Sequence, residues 1–305
     1  MRKTAFLFSG QGSQYSGMGK ELYDCSPAAR RVFEMADGIR AGTSVQCFTA
    51  SKEELSVTLN TQPCLFTVDL AAAEALKEAG ILPDLIAGFS LGEIPALAFG
   101  GYMTYEDAFR FVCRRAYHMD QAARRRKGSM IAVLKLKEAE VEVIAEKVGE
   151  CFPVNYNCDG QTVVACAEGK EEELLIAVKE AGGRGVRLAV SGAFHSPYMR
   201  EASEALAWEF RGLRFNKPVI QVYSNEKAGP YEGKESLFRQ VCSPVLWKRI
   251  IENMALNGIN TFIEVGAGTT LSGMVSKTAA DALVLNVEDA KSLNRTLEVL
   301  KKRQG

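Results

Sequence analysis

The sequence predicts an α/β protein in which a parallel-sheet unit is interrupted by a smaller inserted one. Three observations predict it: short apolar runs alternate with stretches of helical periodicity, the rhythm breaks at Arg124-Arg125-Arg126-Lys127-Gly128, and it returns after residue 190. Before the break, Thr4 to Ser9 reads as a strand, Gln62 to Ala79 as a helix and Leu85 to Ala87 as a strand. Leu91 to Phe99 and Tyr105 to Ala123 read as helices. After it come a strand (Met130 to Leu136), a helix (Glu138 to Val148), two strands (Pro153 to Tyr156, Thr162 to Cys166), a helix (Lys170 to Ala181) and a strand (Gly185 to Val190). That order, β-α-β-β-α-β, is the split ferredoxin-like motif, with Cys158-Asp159-Gly160 as its hairpin turn. Helix Pro197 to Arg211, strand Val219 to Tyr223, helix Pro244 to Asn257, strand Thr261 to Val265 and helix Thr270 to Ala279 return to the first unit. The chain therefore divides into a large unit, 1–127 with 191–305, and a small one, 128–190, with a cleft between them where a substrate can lie.

Composition narrows the function classes. A chain of 305 residues, 47% of them hydrophobic, buries a large core as one big domain or one plus an insertion. Lys and Arg total 37, as do Asp and Glu, so no global field points to nucleic acid or a membrane surface. No apolar run is long enough to span a bilayer, and Met1 to Phe8 reads as the approach to a first strand, not as a signal peptide. Eight cysteines without a C-x-x-C pair, and only two histidines, exclude a zinc site and fit free thiols in the cytoplasm.

The chemistry centres on Gly88-Phe89-Ser90-Leu91-Gly92. An apolar strand ends there in a G-x-S-x-G turn and passes into a helix, the setting of a nucleophilic serine in an α/β-hydrolase-like sheet. The glycines let backbone pass beneath Ser90, and the N–H of Leu91 becomes the first oxyanion donor. A serine near its free pKa needs a base, and His118 and His195 are the two candidates. His195 lies in a Gly/Ser/Pro-flanked loop after an apolar run, where a side chain can be presented from a sheet edge; His118 lies mid-helix. The base is assigned to His195. Gly10-Gln11-Gly12 follows the first strand, but the third glycine of a dinucleotide fingerprint is replaced by Tyr15.

Beyond these residues, Phe8-Ser9-Gly10-Gln11-Gly12-Ser13-Gln14, Thr61-Gln62-Pro63, Arg115, Asn155-Tyr156-Asn157 with Gly160-Gln161, Gly192-Ala193-Phe194-His195-Ser196, Gln240 before Pro244-Val245-Leu246-Trp247, and Glu264-Val265-Gly266 follow one another along nearly the whole chain. In this order and spacing the chain resembles the malonyl-CoA:acyl carrier protein transacylases. The resemblance implies that the Gln11 N–H completes the oxyanion hole with Leu91, and that the backbone carbonyl of Gln240 orients His195. It implies that Arg115, in preference to its neighbour Arg114, takes a malonyl carboxylate bidentately, a buried anion needing such a partner. Phe194 would leave no room for an α-branch, and Gln62 and Asn157 join the substrate-binding set. The implied reaction is ping-pong transfer of malonyl from malonyl-CoA, through an ester on Ser90, to the phosphopantetheine thiol of acyl carrier protein. It is expected of a cytoplasmic monomer with no cofactor and no metal.

Three positions depart from the family pattern: Phe89 stands where histidine is usual, Ala116 where glycine is, and His118 where an apolar residue is. Two readings of Phe89 stay open, a compensating swap that brings His118 into the vacated pocket space and a changed acyl preference. The run Arg124 to Lys127, with Lys135 and Lys137, is either a solvated face or a positive rim for CoA phosphates and an acidic carrier. Other classes are weighed as well. A discrete acyltransferase of a polyketide synthase carries the same motifs. A serine acyl hydrolase would use the same elbow and base, and a non-catalytic scaffold is argued against by the intact Ser90 and His195.

Overall fold

The computed structural model describes residues 3–303; Met1, Arg2, Gln304 and Gly305, which the sequence reading places in the large unit, lie outside the described residues. Strand β1 (Thr4–Phe8) is wholly buried, as a strand covered on both faces must be. Helices α1 (Lys20–Cys25), α2 (Pro27–Ile39), α3 (Thr43–Thr49) and α4 (Lys52–Leu55) then lead into α5 (Thr58–Glu78). Strand β2 (Leu85–Gly88), α6 (Glu93–Phe99) and α7 (Tyr105–Arg125) complete the first passage. The inserted unit runs through β3 (Gly128–Leu134), α8 (Glu138–Val148), β4 (Cys151–Cys158), β5 (Gln161–Ala167), α9 (Glu171–Glu180) and β6 (Arg184–Arg187). The chain returns by α10 (Arg200–Glu209), β7 (Gln221–Tyr223), α11 (Lys234–Arg239), α12 (Trp247–Leu256), β8 (Thr261–Val265), α13 (Thr270–Thr278), β9 (Leu283–Val287) and α14 (Ala290–Lys302).

The large sheet has the order β7-β2-β1-β8-β9, every pairing parallel. β1 lies at its centre, so the carboxyl ends of β1 and β2 are neighbours: Phe8 pairs with Gly88. Ligands gather at such strand ends in open parallel sheets. The small sheet, β4-β5-β3-β6, is antiparallel throughout, the ferredoxin-like arrangement expected from its element order. Asp159 and Gly160 form its hairpin turn, with Gly160 at φ 69°. The helix face of this sheet buries Ile131, Val133, Val164 and Cys166 against α8 and α9; the alternate residues Met130, Ala132, Val163 and Ala165 join the main core.

Several boundaries differ from the expected ones, for local reasons. β6 ends at Arg187 where a strand to Val190 was expected, because Leu188 and Val190 turn into the cleft. α12 starts at Trp247 and not at Pro244: Val245 is extended and bridges Asn155 of β4, with Val245 N–H to Val154 O at 2.8 Å and Tyr156 N–H to Val245 O at 3.0 Å. This strap seats the small sheet on the large unit. Helix α5 begins four residues ahead of Gln62 and carries Pro63 inside it. Helices α1 to α4, α11 and α14, and strand β9, occupy stretches to which the sequence reading assigns no element. All eight cysteines are free thiols; Cys25 is exposed, Cys113 and Cys242 are half-buried, and the other five are buried.

Candidate active site

The nucleophile elbow is built from two backbone approaches that leave no room for a Cβ. A methyl on Gly88 would sit 2.0 Å from the carbonyl carbon of Gly92, and one on Gly92 would sit 2.3 Å from Phe8 O. The turn so enforced puts Ser90 at φ 53°, a left-handed conformation costing of order 1–3 kcal/mol in a non-glycine residue. A short 3₁₀ turn, Ser90–Gly92, then replaces the first turn of the helix expected from Leu91 onward. Both backbone groups of Ser90 are held by side chains: its N–H donates to Asn225 Oδ1 at 2.7 Å and its carbonyl accepts from Gln240 Nε2 at 2.6 Å.

His195 also has a positive φ, 61°, and its N–H donates to Val241 O at 3.0 Å. Ser90 Oγ donates to His195 Nε2 at 2.6 Å. On the other side of the ring, Nδ1 faces two carbonyl oxygens, Gln240 O at 2.9 Å and Ser243 O at 3.2 Å. Two acceptors there assign the ring proton to Nδ1 and leave the Nε2 lone pair for the serine proton. Burial, and then the nearby Arg115 charge, push the His195 pKa down to about 4, against the pull of the two carbonyls, so the ring is neutral at pH 7.

Arg115 and Arg114 part company. Arg115 is 1% exposed, donating to Gln62 Oε1 at 2.9 Å, to Gln240 Oε1 at 2.9 Å and toward Ser90 Oγ at 3.4 Å. Arg114 is half-buried and pairs with Glu209 outside the cleft. Burial lowers the Arg115 pKa to about 10, which leaves it cationic at neutral pH, with neutral amides as its direct partners. Its Nε has no hydrogen-bond partner among the described residues. A buried cation in this state needs an anion, and the cleft beside it supplies the space.

That cleft, about 210 Å³, opens over Ser90. Gln11, Gln62, Phe89, Leu91, Arg115, Phe194 and His195 line it from the large unit, and Met130, Asn155, Asn157, Gln161 and Val163 from the small sheet. All nine residues singled out as a site are thus brought together: eight line the cleft, and Gln240 stands behind its wall, bonded to Ser90, Arg115 and His195. Asn157 Oδ1 is buried without a hydrogen-bond partner among the described residues. Gln11 and Leu91, the expected oxyanion donors, follow the carboxyl ends of β1 and β2 and line the cleft together with Ser90. Glu264, near the end of β8, accepts from Leu271 N–H and Ser272 N–H and so caps α13, a structural role.

Two expectations are corrected. His118 does not enter the pocket: its Nε2 meets Glu209 Oε2 at 2.7 Å on the outer face of α7, while Phe89 packs edge-on against Trp247, ring centres 5.4 Å apart. The compensating swap is therefore wrong: Arg115 and Met119 take the cleft side of α7, while His118, one position before Met119 and so about 100° round the helix from it, is held outward by Glu209 of α10. The changes Phe89→His and His118→Leu should be additive in transfer rate, to within about 0.5 kcal/mol; coupling of about 1 kcal/mol or more in a double-mutant cycle would restore the swap. The basic run is also not a free positive rim. Arg124, Arg125, Arg126 and Lys127 each pair with a carboxylate, Asp120, Glu201, Glu150 and Glu168 respectively. That is a charge-balanced solvated face, worth little per pair.

Sequence reasoning missed Asn225, Glu93, Ser243 and the side chain of Gln240. One signal was available for Asn225: a polar Ser-Asn pair directly after a parallel strand, at the end where sites gather.

The geometry is that of an acyl-transferring serine, and comparison with known proteins agrees. Residues 5–298 match the family model described as an acyl transferase domain. A malonyl CoA-acyl carrier protein transacylase of Bacillus subtilis is 37% identical over 99% of this chain and 98% of its own length; that of Escherichia coli K12 is 32% identical over 98% and 100%. Among solved structures, a malonyl CoA-acyl carrier protein transacylase from Clostridium perfringens superposes with a TM-score of 0.95 at 37% identity, covering 99% of this chain and 98% of that one. A type II PKS acyl-carrier protein in complex with its malonyl-transacylase gives 0.93 at 30% identity, covering 97% and 99%. With the family model spanning residues 5–298 and relatives matched along nearly their full length, the chain belongs to the acyl transferase domain family.

Proposed function

We propose that the protein transfers the malonyl group of malonyl-CoA to the phosphopantetheine thiol of acyl carrier protein. The single observation that carries this is the buried Arg115 guanidinium, held by neutral amides beside Ser90 Oγ, which suits an acyl group that brings its own carboxylate. The reaction runs in two halves. His195 Nε2 takes the Ser90 proton as Oγ bonds to the thioester carbon, and the oxyanion is met by the N–H groups of Gln11 and Leu91. The C–S bond then breaks, and the CoA thiolate leaves with the proton held by His195. The carrier's thiol gives its proton to His195, attacks the Ser90 ester, and Oγ departs with that proton. Gln62 and Gln240 hold the guanidinium, Gln240 O and Ser243 O hold the imidazole, and Phe194 and Asn157 shape the acyl space. The same reading makes it a monomer, every group of the site coming from one chain, at work in the cytoplasm, where free thiols persist.

The test is intact mass. Incubation with malonyl-CoA should add one malonyl group, which a holo carrier protein removes and water does not. Rapid loss of the adduct to water would mark a hydrolase, and preferential loading of a larger acyl group an acyltransferase of altered preference.

A pH profile supplies a second check. Because the His195 pKa lies near 4 in the free protein, kcat/KM for malonyl-CoA should stay level as pH falls through 6.5 and drop only near 4. A carboxylate bound at Arg115 offsets the charge that helps depress His195, so the acid limb of kcat should lie higher than that of kcat/KM. The stability sign follows too. Below pH 6.5 the unfolded chain binds a proton that the folded one refuses until about 4, so this group lowers stability as pH falls across that window. An acid limb of kcat/KM at the ordinary histidine value would contradict the geometry.

A further inference from the structure

We propose that Asn225 is the positioning residue that sets the nucleophile elbow, acting with Glu93. The proposal rests on the reading of Ser90 as the acyl-bearing residue. Ser90 sits in a backbone conformation that it does not adopt unaided, so something must hold it there. One side-chain amide spans the turn: Ser90 N–H donates to Asn225 Oδ1 at 2.7 Å, and Asn225 Nδ2 donates to Gly88 O at 2.7 Å. Asn225 is itself held. Its own N–H donates to Glu93 Oε2 at 2.6 Å, and its carbonyl accepts from Leu246 N–H at 2.9 Å. The residue is fully buried and its side chain uses both ends of the amide on the elbow.

Glu93 opens α6, the helix that leaves the elbow, so the bonds close a ring from Ser90 through Asn225 to Glu93 and back along three residues of chain. Leu246 follows Val245, the residue that bridges β4, so the same asparagine also ties the elbow to the strap beneath the small sheet. Arg115, Tyr231 and Glu226 are the charged and titratable groups that face Glu93.

The arrangement has a chemical consequence. With the Ser90 N–H engaged by Asn225, the next amide of the turn, that of Leu91, is the one left to meet an oxyanion. Asn225 does not line the cleft, so it acts through Ser90 and Leu91 and not on the acyl group. Releasing it should let the turn relax and displace Oγ from His195 Nε2 together with the Leu91 N–H.

The experiment is single-turnover malonylation by malonyl-CoA, followed by intact mass, with the amplitude used to count competent sites. Asn225→Ala should acylate on the order of 100-fold more slowly per competent site, the cost of a misplacement of about 1 Å, with half-saturation by malonyl-CoA unchanged. Asn225→Asp keeps the acceptor for Ser90 N–H but, when ionised, sets a carboxylate against Gly88 O and Glu93. Protonated, it carries one donor and one acceptor as the amide does. Its rate relative to wild type at the same pH should therefore rise as pH is lowered from about 8 toward about 5, wild type being the reference because burial holds Glu93 up at about 8 in both proteins. If the alanine variant fails to fold, the aspartate profile decides alone. A wild-type rate per competent site in Asn225→Ala, a defect confined to amplitude, or a flat profile in Asn225→Asp overturns the proposal. Absence of any Ser90 adduct in wild type would instead overturn the reading of the nucleophile, a separate result.

Discussion

Ser90→Ala should carry no malonyl adduct at any time after addition of malonyl-CoA, and His195→Ala should form one 10⁴- to 10⁶-fold more slowly, by analogy with serine–histidine knockouts elsewhere. The reason is the shared proton. Ser90 Oγ reaches His195 Nε2 at 2.6 Å, and Gln240 O and Ser243 O hold the other side of the ring, so the pair works as a unit. Double substitution should therefore be no worse than the serine change alone. The residual rate in His195→Ala comes from the Gln11 and Leu91 donors, which that change leaves in place. A persistent adduct in Ser90→Ala, located on another residue by peptide mapping, would refute the assignment of the nucleophile. Near-normal acylation in His195→Ala would refute that of the base.

Arg115→Ala should lower kcat/KM for malonyl-CoA by about 3 kcal/mol or more of transition-state binding, roughly 10²-fold, while acetyl transfer improves relative to malonyl. Malonyl would bring an anion to a wall that no longer offers a cation; acetyl brings none. The loss has a second part. Arg115 donates to both Gln62 Oε1 and Gln240 Oε1, and Gln240 also holds the Ser90 carbonyl and the His195 ring, so the variant loosens one tether of the catalytic pair. Comparing the two acyl donors separates the effects, since a loosened tether slows both alike. Parallel falls for malonyl and acetyl would make Arg115 structural and move the carboxylate elsewhere. Removing the charge should also raise the His195 pKa, visible as an upward move of the acid limb.

Much of this was legible before any coordinates, and the reasons are physical. The elbow could be read because G-x-S-x-G after an apolar run encodes a backbone approach that excludes every side chain, as the 2.0 Å at Gly88 shows. The small sheet could be read because its short apolar runs, buried on both faces in β3 and β5, are set apart by a Gly turn and by two stretches of helical periodicity. The region from Ser9 to Thr58 went unread: α1, α3 and α4 are too short for a helical period to show, whereas α2, with Ser26 as its N-cap and Pro27 in its first turn, carried a signal that was passed over. β9 and α14, at the edge of the sheet, went unread as well. The strap at Val245 was misread as helix because its extended form is imposed by β4, a partner remote in sequence. Asn225 escaped for the same reason: it lies 135 residues from the serine it holds. His118 misled because its i,i+3 spacing from Arg115 puts the two within about 60° on the helix, while the Glu209 that draws it outward is remote in sequence.

The distribution of sulfur bears on where the acyl group can go. A malonyl ester on Ser90 is an activated acyl donor, and any thiolate within reach would draw the group off and strand it as a dead-end thioester. Eight thiols in the chain make that a real hazard. Yet the sulfur that lines the cleft belongs to Met119, Met130 and Met274, whose thioethers accept no acyl group. Burial pushes the thiols of Cys47 and Cys158 up and that of Cys113 to about 11, away from the thiolate form. Cys166 is the exception, drawn down to about 7, and it points to the helix side of the small sheet with Ile131, Val133 and Val164. The loaded enzyme is in this sense chemically quarantined from its own cysteines, so that the thiol able to unload it has to arrive on another molecule.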